Sequence, residues 1–225
     1  MSPTASPPKT PSVTPSGTDV GARLMLIALC LIWGLTWPLM KIALYQMPPL
    51  TMRAASGGLG ALTLYLFCFA TRRSFRVPSA KAWVHIFIAS MLTVVGFTVI
   101  SAFAQLIATT GRVTILAYTM PVWTVLLAWP FLGERPSGMQ IFALGLCATG
   151  LAVLIYPLAA TGVPFGILLA VTVGISWAGG TVYLKWAHID ADPIGVACWQ
   201  LIVAFVVVAA FMLIFEGRPH FENIR

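Results

Sequence analysis

Seven apolar runs, each about twenty residues long and separated by short turn-forming stretches, limit what this chain can become. They cover about 24–44, 50–70, 84–108, 113–132, 139–158, 165–187 and 193–215. A helix needs roughly 20 mostly apolar residues to cross a bilayer. In lipid every backbone amide and carbonyl must be bonded internally, which leaves helices and closed barrels. Barrel strands alternate polar and apolar residues, and these runs do not. The expected fold is therefore all-α, a polytopic membrane helix bundle. The breaks agree: Met47-Pro48-Pro49, Arg72 to Pro78, Thr109 to Arg112, Gly133 to Pro136, Ala160 to Pro164 and Asp190 to Pro193 are rich in turn residues. Loops this short join antiparallel neighbours. Charge agrees as well, because only 8% of residues are charged, against about a quarter in a soluble domain.

The net charge of +7 does not indicate a nucleic-acid partner. The bases fall between apolar runs, where lysine and arginine set membrane orientation. The second break carries Arg72, Arg73, Arg76 and Lys81, whereas the first has no base between its spans. This argues for an N-terminus in the cytoplasm of a multi-pass protein, with the plasma (inner) membrane as its expected location. Residues 1–21 are dominated by Pro, Ser and Thr and read as a disordered cytoplasmic tail. Cys30, Cys68, Cys147 and Cys198 sit in four different runs without paired spacing. They read as small buried hydrophobes rather than a disulfide frame or zinc site.

Within the runs one stretch recurs. Trp33-Gly34-Leu35-Thr36-Trp37-Pro38-Leu39-Met40-Lys41 is answered by Trp177-Ala178-Gly179-Gly180-Thr181-Val182-Tyr183-Leu184-Lys185, at an offset of 144 residues. The same offset carries Pro49 onto Pro193. Five spans in a first unit, about 22–158, would make a second unit, about 164–225, start from the opposite face. Such inverted repeats are a common architecture of transporters. Trp33 and Trp177 lie near mid-span, away from the interfaces tryptophan prefers. Pro38 would weaken the first helix beside them. These aromatics, with Trp37 and Tyr183 further along the same spans, read either as helix packing or as the lining of a solute path. Thr36 and Thr181 lie within the two copies. Gln105, Thr114, Tyr118 and Gln200 are polar groups inside spans, available to a neighbouring helix or to a solute. Pro121 marks an expected kink. Gly166, Ala170, Gly174 and Ala178 recur every fourth residue, and Ser56, Gly57, Gly58 and Gly60 cluster in the second span; both favour close helix approach.

No nucleophile-and-base pattern, HExxH or phosphate-binding loop is present, and His85, His188 and His220 are scattered. An enzyme, a metal or a cofactor is not expected. No Asp or Glu lies deep in a span, so proton coupling through a carboxylate has no candidate, and His85 remains the ionisable group for that role. Lys41 and Lys185 stand within a turn of span ends, where snorkelling to headgroups is the simple role. The sharper one is a charged rim of Lys41, Arg53, Arg112 and Lys185, with the first three forming an outer mouth for an anionic or zwitterionic solute.

The chain resembles the EamA-type permeases of the drug/metabolite transporter superfamily. The likeness is carried by Trp33-Gly34 to Lys41, by Pro48-Pro49 with Arg53, by Ala117-Tyr118-Thr119-Met120-Pro121-Val122-Trp123, by Leu132-Gly133-Glu134-Arg135, and by Gly145 and Gly150. It implies two five-helix units and a secondary, non-ATP carrier that exports metabolites, amino acids or drug-like solutes by alternating access. It also implies a cavity lined partly by the first, third, fourth and sixth helices. Trp33, Thr36, Trp37, Gln105, Tyr118, Trp177 and Thr181 are the expected pathway residues. The second unit holds two of its five helices, so a fragment or truncated product is expected, with a homodimer as one way to complete the cavity wall. A non-transport integral membrane protein, a sensor or scaffold, is the alternative class. The partners expected are a small-molecule solute and the lipid bilayer.

Overall fold

A computed structural model describes residues 18–160 and 164–217. Seven helices fill these residues: α1 (Thr18–Gln46), α2 (Pro49–Ala70), α3 (Ala80–Ile107), α4 (Thr110–Leu132), α5 (Gly138–Ala160), α6 (Pro164–Ala187) and α7 (Pro193–Phe215). Six are long and apolar enough to cross a membrane; α5 is apolar over Gly138–Val153. The chain is an all-α polytopic membrane bundle. It divides into two compact units, the first ending at Pro38 and the second beginning at Leu39.

Two expectations change in α1. The helix starts at Thr18, inside the stretch read as a disordered tail, while residues 1–17 lie outside the described ones. Once its apolar turns are fixed, a helix extends outward residue by residue at little cost. Pro38 does not interrupt α1, which runs through it to Gln46. The carbonyl four residues before Pro38 belongs to Gly34, and proline is tolerated in membrane helices where the freed backbone groups find other partners.

In the second unit α2 and α7 run antiparallel and are tied at both ends. At one end the Glu216 carboxylate, just past α7, accepts from the amides of Leu50 (2.8 Å) and Thr51 (2.7 Å) and from the Thr51 hydroxyl (2.8 Å). A negative charge there meets the unsatisfied amides and positive dipole end of α2. At the other end Arg73 reaches Asp192 at 3.4 Å, and the Asp192 side chain caps α7 by accepting from Ile194 and Gly195. Between the ends Leu50, Ala54, Val95, Ala204, Val208 and Met212 form a buried apolar cluster. Trp199 of α7 donates to the Phe75 carbonyl at 3.0 Å and meets Trp83 of α3 edge-on. Gly58 touches Phe205, so α2 uses one glycine of its expected cluster for close packing; Gly57 and Gly60 face open space.

α6 lies against α3 and α4. The ribbon expected from Gly166, Ala170, Gly174 and Ala178 does pack: Ala170 and Ala178 are buried, and Gly174 sits on Thr119 and Trp123 of α4. α3 widens into a π-helical turn over Met91–Gly96. Here α6 comes closest, with Gly96 against Ser176 and Gly180 against the backbone of Thr93. A Cβ at Gly180 would overlap that backbone, which cannot swing aside. At neighbouring Gly179 a Cβ meets nothing within 4 Å. Gly180→Ala should therefore lower stability by about 1–3 kcal/mol, while Gly179→Ala leaves it nearly unchanged; thermal unfolding in detergent compares the two.

A second prediction concerns Asp192. The Gly195 and Ile194 amides, with Arg73, hold its carboxyl below its usual range. Such a group stabilises the fold above its unfolded pKa of about 3.9, and that stabilisation is lost as pH falls through the lower folded value. The advantage of the wild type over Asp192→Asn should be full near about pH 6 and fade toward about pH 3 in a melting series.

Candidate substrate pathway

A cavity of about 620 Å³ lies between α3, α4 and α6. Its walls are Leu92 and Ile100 of α3, Leu127 and Phe131 of α4, and Thr172, Ile175, Ser176, Gly179, Val182, Tyr183 and Trp186 of α6. The α6 residues recur every three or four positions, one face of a helix at 3.6 residues per turn. Trp177 and Thr181 fall on the opposite face. The lining is mostly apolar and holds no charged residue, with three hydroxyls set into it.

Each polar group is positioned by local structure. The Ser176 hydroxyl donates to the Leu92 carbonyl at 2.6 Å. Leu92 belongs to the π-helical turn, where the regular ladder is interrupted and side-chain partners are drawn in. Thr172 donates to the Leu168 carbonyl of its own helix. The Tyr183 hydroxyl and His85 Nδ1 are 2.7 Å apart, and the rings of Tyr183, His85 and Trp186 pack together. His85 thus stands behind the cavity wall, joined to it through Tyr183. Across the cavity α4 breaks at Tyr118 and Thr119, immediately before Met120-Pro121. The kink expected at Pro121 is present. Buried Thr119 donates to the Leu116 carbonyl and accepts from the Trp123 indole at 3.0 Å, filling the gap.

The expected pathway residues are dispersed. Trp33, Thr36 and Trp37 belong to the first compact unit, where the two tryptophans are one turn apart and the Thr36 hydroxyl donates to the Ile32 carbonyl. Trp177 packs edge-on against Phe97 of α3, and the Thr181 hydroxyl donates to the Trp177 carbonyl. Gln105 has no exposed surface, and neither amide atom has a hydrogen-bond partner. Tyr118 is exposed beside the α4 break. None of these lines the cavity described above. The offset of 144 residues singles out Trp177, whereas the face of α6 that lines the cavity carries Thr172, Ser176, Gly179, Tyr183 and Trp186. Two hydroxyls, a glycine and two aromatics at helical spacing were the available signal.

The charged rim also separates into parts. Lys41 donates to the Gln105 carbonyl and lies 5.5 Å from the Tyr45 ring centre. Arg53 donates to the Ser101 hydroxyl at 2.7 Å and meets the Met40 sulfur. Ser101 and Gln105 are one turn apart on α3, so these two cations converge. Arg112 instead borders α6 beside Gly166 and Ile167. Lys185 pairs with Glu134 at 2.5 Å, joining the end of α6 to the turn after α4. Among the described residues no group of three or more His, Cys, Asp or Glu is placed to hold a metal.

The described spans form an apolar membrane helix bundle with a solute-sized cavity between packed helices. The EamA-like transporter family model matches residues 21–156 and 164–224, and the chain belongs to that family. It is 27% identical over 207 residues to the uncharacterized transporter YoaV of Bacillus subtilis, covering 90% of this chain and 70% of the relative. It is 28% identical over 196 residues to the uncharacterized transporter YvbV of the same species, covering 85% of this chain and 61% of the relative. It is 24% identical over 189 residues to the uncharacterized inner membrane transporter YedA of Escherichia coli, covering 84% and 61%. The chain therefore spans between three-fifths and seven-tenths of the length of these relatives. No solved structure matches it.

The hydrogen bond between Tyr183 and His85 yields a direct check. Tyr183→Phe leaves the imidazole nitrogen unpaired and should cost about 1 kcal/mol. His85→Phe made together with it should recover part of that loss, and melting of the single and double variants measures the coupling.

Proposed function

We infer that this protein is a secondary carrier of small organic solutes, with the space between α3, α4 and α6 as part of the solute path. The observation that carries the reading is an apolar cavity of about 620 Å³ set among membrane spans of an EamA-family chain. Its size suits a metabolite, amino acid or drug-like solute. Its mostly apolar lining suits a solute with a substantial hydrocarbon or aromatic part. Ser176, Thr172 and Tyr183 supply weak, neutral hydrogen bonding, which lets a solute leave as well as bind. The spans hold no carboxylate for coupling, and His85, reached through Tyr183, is the ionisable group at the cavity wall.

Two matched family segments, together with the recurrence of Trp33 to Lys41 at Trp177 to Lys185, support inverted units that rock about the cavity in alternating access. The basic loop from Arg72 to Lys81 supports a cytoplasmic N-terminus. An inner-membrane location and export follow from the family reading.

Gly179 offers the cleanest test because its side-chain position opens into the cavity without touching the packed backbone. Gly179→Leu should fold and melt like the wild type and cut flux by about tenfold or more, since overfilling a binding cavity costs on the order of 1–3 kcal/mol. Proteoliposomes loaded with labelled amino acids and amphipathic metabolites measure it. Undiminished flux of a transported solute in a correctly folded Gly179→Leu protein would remove this cavity from the path.

A further inference from the structure

The second compact unit holds a polar cluster that the cavity does not use. Arg53 of α2 and Lys41 of α1 reach the same turn of α3. Among the described residues neither cation forms an ion pair: Glu134 is taken by Lys185, Asp192 by Arg73, and Glu216 is spent on the amides of α2. Both bond only to neutral acceptors. Ser101, which accepts from Arg53, already donates to the Thr98 carbonyl at 3.0 Å. The Arg53 Nε is buried without a partner. Beside it on α3, one turn from Ser101, Gln105 is fully buried with both amide atoms unpartnered.

An unpaired cation and an unpaired amide buried together in a membrane segment are costly to maintain. The Arg53 Nε–H and the Gln105 NH₂ share the need for an acceptor, which a negative charge meets best. A planar guanidinium, an ammonium with two N–H groups to spare and an amide NH₂ suit a carboxylate, whose two oxygens take several donors at once. Packing alone explains less. Lys41 stabilises the carbonyl end of α3, but that role leaves the Gln105 side chain and Arg53 Nε idle.

We propose that Arg53, Lys41 and Gln105 form an oxyanion-binding site for the carboxylate of a small organic acid, between the end of α3 and the adjoining parts of α1 and α2. None of the three lines the α3–α4–α6 cavity, and Val99, Phe103 and Leu106 line a separate groove on the other face of α3. The site therefore stands apart from the cavity and does not depend on its role. A phospholipid phosphate carries the same oxyanion chemistry, and the test separates the two sources.

Benzoate and its neutral counterpart benzamide serve as probes on the purified protein in phosphatidylcholine nanodiscs. Benzoate should raise the melting temperature saturably and benzamide should not. Arg53→Gln and Lys41→Gln should each weaken benzoate binding on the order of tenfold, the loss of one charge-assisted hydrogen bond. Arg112→Gln should bind as the wild type does. Because Arg53→Gln also removes a tie to α3, Gln105→Leu decides between site and scaffold. It replaces an unpartnered buried amide by an apolar group, so the protein should melt at or above the wild-type temperature while its benzoate affinity falls. Wild-type benzoate affinity in Gln105→Leu, or equal shifts by benzoate and benzamide, would overturn the proposal. Nanodiscs containing phosphatidylglycerol form the last arm. An unchanged benzoate response there supports the solute assignment; a response abolished by the anionic lipid overturns it in favour of a headgroup site.

Discussion

The close contact between α6 and the π-helical turn of α3 is the constraint on which the rest of the second unit depends. At Gly180 the side chain is absent because the Thr93 backbone occupies its place, and at Gly96 the Ser176 side chain does so. In lipid, apolar side chains alone give helices no reason to associate, so backbone approach at small residues and hydrogen bonds between helices carry the packing. Ser176 supplies such a bond to the widened turn. With this line of α6 held against α3, and its Ala170–Gly174 edge against α4, the remaining face of α6 is left unfilled. The cavity is the space that follows.

The polar groups of the bundle answer the same scarcity of partners. Glu216 and Asp192 each complete a helix N-terminus, so two of the few carboxylates are used where backbone amides would otherwise lack acceptors. Lys185 takes Glu134. Lys41 and Arg53 are left to neutral acceptors, and Gln105 to none. The distribution separates groups that hold the scaffold from groups whose bonding capacity is unspent.

Much of the scaffold was legible in the sequence, because a run of twenty apolar residues has few fates and Pro, Gly and Asp mark where it stops. The α4 kink was legible from Pro121 and the close face of α6 from Gly166, Ala170, Gly174 and Ala178. The π-helical turn was not, since Met91 to Gly96 carries no periodic mark and its widening is matched to Ser176 on a distant helix. Pro38 misled because a proline that breaks a soluble helix is accommodated inside a membrane one. Trp177 lies on the face of α6 away from the cavity. A recurring tryptophan is conspicuous, but which face of α6 stays open is decided by where glycines let backbones meet. Arg53 and Lys41 were legible as cations near one end of the spans, whereas their convergence on one turn of α3 required the fold.

The central claim is that solute passes through the space bounded by α4 and α6. Reversible bridging of Phe131→Cys and Trp186→Cys, on opposite walls of that space in a protein otherwise free of cysteine, addresses it most directly. With a cleavable bis-thiol reagent spanning the pair, flux of a transported solute should stop and return on cleavage. Flux that continues at the unbridged rate through fully bridged protein would contradict the account.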